Sequence, residues 1–192
     1  MNRILFFLLI AMYCLSQAQE KNNRDDILNR RMLGFTIQQT IPLYVLPEGK
    51  SYKSTGITAN FHQPFFKSKK KVNLGIDLSP QFWIAAAHEV AIETGLNASL
   101  NINFQIKKSS LLAFHAGSGF HYFGMHTSRQ AHGFLFSDNF FGTYKHSIQA
   151  KNGKRYTIGL MAGFRHMSNL HINPPNGGID NLIVGLIFDR IY

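Results

Sequence analysis

Apolar and polar residues alternate along most of this chain. From Val72 to Leu78 the even positions are Val72, Leu74, Ile76 and Leu78, and the odd ones are Asn73, Gly75 and Asp77, followed by Ser79. From Ile92 to Ile106 the even row holds Ile92, Leu96, Ala98, Leu100, Ile102, Phe104 and Ile106. The odd row holds Glu93, Gly95, Asn97, Ser99, Asn101, Asn103 and Gln105. A period of two is that of a β-strand, whose successive side chains point to opposite faces. Weaker copies run from about Gly34 to Val45, Thr55 to Phe65, Leu111 to Phe123, Asn139 to Ile148, Tyr156 to Ser168 and Asp180 to Tyr192, so the pattern predicts eight strands.

The predicted connections alternate as well. Short Lys-rich turns (Lys67 to Lys70, Lys107 to Ser110, Gln149 to Lys154) exchange with longer stretches (Leu46 to Ser54, Ala85 to Ala91, Gly124 to Asp138, Asn169 to Ile179). Short turns at one end and longer loops at the other predict an all-β fold, an eight-stranded antiparallel up-and-down transmembrane β-barrel of the bacterial outer membrane. A soluble barrel with an apolar lumen would show the same alternation. The choice for lipid outside rests on the scarce charge of the polar face, the abundance of Phe and the terminal aromatic Tyr192. An even strand count puts both chain ends at the periplasmic side, so the longer loops, including Asn169 to Ile179, face outward.

Composition sharpens this picture. Charged residues are 16% of 192, against roughly 25% in an ordinary soluble domain, while 45% are hydrophobic and Phe alone supplies 17. That much hydrophobicity excludes a disordered chain, and beyond the N-terminus no apolar run approaches the ~20 residues of a membrane-spanning helix. At the N-terminus, Arg3, the apolar stretch Ile4 to Leu15 and the small-residue pattern Ser16-Gln17-Ala18 predict a signal peptide over residues 1–18, leaving one barrel domain over 19–192. Its removal takes away Cys14, the only cysteine, so neither a disulfide nor thiol chemistry is expected. Lys plus Arg number 20 against 10 Asp plus Glu, and for an exported chain that excess points to anionic head groups, with no nucleic-acid partner expected.

The chemistry gathers around the seventh and eighth strands. His166 and Ser168 continue the outward, even row of the seventh (Ile158, Leu160, Ala162, Phe164), and Asp180 begins the even row of the eighth (Leu182, Val184, Leu186, Phe188). Neighbouring antiparallel strands bring the end of one beside the start of the other, so the three can meet on one outward face near the rim. A hydroxyl, an imidazole and a carboxylate are the parts of an activated serine, in which a base takes the proton and an acid holds the base. The bland alternative is a pair of strands turning polar where they leave the bilayer, in a catalytically silent structural or adhesive barrel.

His166-x-Ser168-Asn169, the Pro175-Asn176-Gly177-Gly178 turn and an acid twelve positions after the serine resemble the lipid A 3-O-deacylases of the PagL type. The resemblance implies a serine esterase that removes an ester-linked acyl chain from lipid A of lipopolysaccharide. Ser168 would be the nucleophile, His166 the general base and Asp180 the orienting acid, with Asn169 and Asn176 forming or shaping the oxyanion hole. Asp180 stands where the family has Glu, one methylene longer, so backbone must make up the distance. Leu170 and His171 stand where small residues are expected.

No cofactor is expected. The nine histidines include His115, His121, His126, His132 and His146, scattered without a carboxylate pair, so no metal site is expected either. Asp77, Glu93 and Arg165 share inward parity and predict an ionic network filling the lumen. The acyl position cut, the action on phospholipids and the oligomeric state, monomer or homodimer, stay open at this level.

Overall fold

The computed structural model describes residues 27–192 apart from Lys67 and Lys69; the expected signal peptide lies outside them. Among the described residues, eight strands close into an antiparallel barrel in chain order. They are β1 (Met32–Pro42), β2 (Lys53–Pro64), β3 (Val72–Ala86), β4 (Val90–Lys107), β5 (Ser110–Phe123), β6 (Gly133–Gln149), β7 (Arg155–Ser168) and β8 (Ile179–Ile191). Closure runs from Met32↔Ile191 to Pro42↔Asn181, which removes the free sheet edge that would otherwise pair with another chain.

Two elements are longer than the alternation predicts. β3 continues through Pro80 to Ala86, and the expected loop over Ala85 to Ala91 shrinks to residues 87–89. β6 begins at Gly133, within the expected loop Gly124 to Asp138. In both extensions large apolar residues face inward: Trp83 and Leu135 are fully buried in the lumen. Apolar side chains on both faces erase a period of two.

Elsewhere the parity is as expected, with Leu74, Ile76, Leu100, Ile102, Phe114 and Phe140 exposed on the outer wall. The polar inward rows pair off in tiers. Near the loop end the Arg165 guanidinium donates to both Glu93 oxygens at 2.6 and 3.2 Å. The Tyr52 hydroxyl donates to the same carboxylate at 2.5 Å, His121 Nδ1 meets it at 2.9 Å, and Arg165 stacks 4.7 Å over the Trp83 ring. Asp77 is not part of this network. It sits in the next tier between His62 and His115, with 2.7 Å to each ring nitrogen. Lys145 and Asp189 pair at 2.8 Å near the turn end.

Space for these rings comes from inward glycines. A Cβ on Gly56 would fall 2.5 Å from the Trp83 ring, and one on Gly95 2.4 Å from the His121 ring. The lumen is stoppered at both ends. Leu46, Tyr52, Phe123, Met125, Leu135, Met167 and Ile179 close the loop end, while Ile27 and Leu28 of a short 3-10 turn pack on Met32, Leu111 and Ile191 at the other. A barrel of this size encloses just enough room for such packing and leaves no pore.

Candidate active site

β7 ends and β8 begins at the loop end of the barrel, and their register sets His166 directly opposite Asp180. His166 Nδ1 lies 2.7 Å from Asp180 Oδ1, with the two side chains 36% and 29% exposed on the outer wall. Direct cross-strand pairing is what brings the shorter acid within reach. With Nδ1 engaged by the carboxylate, Nε2 is left to face another group.

Ser168 stands two residues further along β7 on the same face, opposite Phe136 of β6. Residues so placed have Cα atoms about 7 Å apart. Among the described residues no hydrogen bond joins Ser168 Oγ to His166, a looseness common in free enzymes whose catalytic contacts tighten around substrate.

The loop after Ser168 is tied by its asparagines. Asn176 Oδ1 accepts the Asn169 backbone N–H at 2.8 Å, and Asn169 Nδ2 donates to the Asn173 carbonyl. The Ile172 N–H closes a turn on the Asn169 carbonyl at 3.0 Å. This turn places Leu170 and His171 at φ of 51° and 64°, the left-handed region where small residues are preferred. Their amides meet no acceptor among the described residues, so the loop holds two undirected N–H groups next to Ser168. Leu170 and Ile172 are exposed, which gives the loop an apolar tip. His171 is an exposed loop residue, and among the described residues no hydrogen bond joins it to His166 or Asp180.

Three further groups stand at the site. Asp138 of β6 is paired with His166 from the side opposite Asp180, so the imidazole stands between two carboxylate-bearing strands. Its signal was available: extending the even row Phe134, Phe136, Phe140 of β6 upstream includes Asp138. Gly178, at φ 69°, lies against the imidazole, and a Cβ there would fall 2.7 Å from His166 Cε1. Arg129, from the loop between β5 and β6, donates to the Gly177 carbonyl at 2.5 Å and to that of Gly178 at 3.3 Å. Gly178→Ala is therefore expected to displace the ring and cut any His166-dependent turnover about 10- to 100-fold. An unshifted rate, with the barrel intact by heat-modifiable gel mobility, would contradict that packing.

Among the described residues no group of three or more His, Cys, Asp or Glu side chains is arranged to hold a metal ion. Lower on the outer wall, Ala116, Gly142 and Ala162 line an apolar groove together with Phe114 and Phe140.

A family model described as lipid A 3-O-deacylase (PagL) matches residues 53–188. A solved structure, titled as the crystal structure of the outer membrane enzyme PagL, is similar in fold, with a TM-score of 0.51. It is 16% identical, and the alignment covers 82% of this chain and 97% of that one. No curated protein matches the chain.

Proposed function

Because the chain belongs to the lipid A 3-O-deacylase (PagL) family, we propose that it works in the outer membrane, hydrolysing an ester-linked acyl chain of lipid A with Ser168, His166 and Asp180. The observation that carries this reading is the 2.7 Å contact between His166 Nδ1 and Asp180 on the outer wall, with Ser168 next on the same face. Polar groups in a row that otherwise faces hydrocarbon are costly, so three together need a purpose.

Ser168 Oγ attacks the ester carbonyl carbon while His166 Nε2 takes its proton, and Asp180 accepts the Nδ1–H and stabilises the imidazolium. The tetrahedral oxyanion faces the loop amides of Leu170 and His171, which Asn169 and Asn176 hold in place. Collapse breaks the bond to the sugar oxygen, and that oxygen receives the proton from His166. Water, deprotonated by His166, then attacks the acyl-enzyme carbonyl; the bond from that carbon to Ser168 Oγ breaks, His166 gives its proton to Oγ, and the fatty acid leaves. All groups required are side chains and amides of this chain. The substrate is an outer-leaflet lipid, whose acyl chain runs down the apolar wall below the site.

The test is mass spectrometry of lipid A extracted from cells that express the chain. The expected result is the loss of one acyl-chain mass, absent when His166→Ala is expressed at equal level in the membrane. Equal loss with both proteins sinks the reading, and no loss with either favours a catalytically silent barrel.

A further inference from the structure

The start of β8 is fixed from outside by a residue of another loop. The Tyr44 hydroxyl, just past the end of β1, donates to the Gly178 carbonyl at 2.8 Å and accepts the Asp180 backbone N–H at 3.1 Å. Next to it the Leu43 N–H reaches the Asp180 carbonyl at 3.4 Å. The Arg129 guanidinium stacks 4.3 Å over the Tyr44 ring while donating to the carbonyls of Gly177 and Gly178. The return bond, from Gly177 N–H to the Arg129 carbonyl, is 2.6 Å. Three loops thus meet on residues 177–180. The two residues the hydroxyl bridges are the one that backs the imidazole and the one that bonds it.

We propose that Tyr44, braced by Arg129, is a positioning residue that sets the His166–Asp180 geometry through the backbone of Gly178 and Asp180. The inference rests on reading Ser168, His166 and Asp180 as the working groups. An aspartate has only two side-chain torsions, so its carboxylate goes where its backbone puts it. The Asp180 N–H that orients this backbone is bonded by a side chain instead of a strand partner. Burial pushes the Tyr44 phenol above its usual range, so the hydroxyl keeps the proton it gives to Gly178. The ring also packs against the apolar stopper of the lumen.

The experiment measures kcat and KM for lipid A in mixed micelles with the mature protein, Tyr44→Phe, Asp180→Ala, the double variant and Ser168→Ala. Removal of one oxygen in Tyr44→Phe is expected to lower kcat about tenfold or more with KM within about twofold, since small misplacements of catalytic groups have effects of that size. In the Asp180→Ala background the same change should have a smaller effect, because part of what Tyr44 does passes through that residue. Arg129→Met is expected to move kcat in the same direction. An unchanged kcat in Tyr44→Phe, an equal loss in both backgrounds, or an Asp180→Ala protein as fast as wild type overturns the proposal. If Ser168→Ala still deacylates, the reading of the site fails and the proposal with it; if Ser168→Ala is dead and Tyr44→Phe is fully active, only the positioning role fails.

Discussion

Ser168→Ala is expected to abolish acyl release, with a fall in rate of at least about 10⁴-fold, because a triad acts as a unit and loses nearly all its effect with the nucleophile. What remains is the action of the loop amides and of substrate positioning on water, which cannot reach the carbonyl from the place Ser168 held. Asp180→Ala removes the group that fixes the imidazole 2.7 Å away, and its loss should be about 100-fold smaller, since the nucleophile and base both survive. Lipid A mass spectra from membranes with matched amounts of each variant read this order directly. Ser168 is half-exposed on the outer wall and packs into neither end of the lumen, so the barrel of the alanine variant should fold and keep its heat-modifiable mobility. Sustained deacylation by Ser168→Ala would mean that another group attacks the ester.

Glu93→Ala is expected to have the largest effect on stability. Glu93, Arg165 and His121 are all fully buried, and the carboxylate takes bonds from Arg165, Tyr52 and His121 at once. Truncating it leaves a guanidinium inside the barrel with no carboxylate, beside the Trp83 face, the Ser54 hydroxyl and the Tyr52 side chain. Breaking one side of a buried pair costs about 3–5 kcal/mol, whereas replacing both members by apolar groups is often neutral. The double variant Glu93→Leu with Arg165→Met should therefore recover most of the loss. Urea unfolding in lipid vesicles, followed by the fluorescence of Trp83, the only tryptophan, measures both. Equal destabilisation in the single and double variants would show that the loss comes from Tyr52 and His121 losing their shared acceptor and not from the stranded guanidinium. Arg165 precedes His166 in β7, so deacylation by the single variant is expected to weaken as well.

The alternation made strand number, antiparallel order and the outward row legible, because a half-lipid, half-lumen strand writes its two environments into alternate positions. It failed at Trp83 and Leu135, where the lumen itself is apolar and both faces read alike. The placement of His166, Ser168 and Asp180 on one outer face was legible because local rules set it: i and i+2 share a face, and consecutive strands meet at their connecting loop. Asp138 fell outside because its segment was read as loop, so its parity was never counted. Tyr44 and Arg129 were invisible for another reason. They reach residues 177–180 from loops far away in sequence, and no spacing encodes which loop tips touch. The inward charges were anticipated as one network, but the height of each along its strand sorts them into separate tiers, with Asp77 between two histidines and Glu93 with Arg165.

With Ser168, His166 and Asp180 as the proposed working groups, a stoppered barrel meets its substrate on its outer wall, in two dimensions. Lipid A cannot arrive through the interior or from bulk water, and must slide within the leaflet until its ester passes the wall between β6 and β8. The concentration that governs turnover is then the mole fraction of lipid A in the surface, so diluting micelles with buffer should leave the rate unchanged while diluting lipid A with detergent should lower it. Crowding of the leaflet by ordered lipopolysaccharide, which slows lateral exchange, would throttle the protein without touching any of its residues.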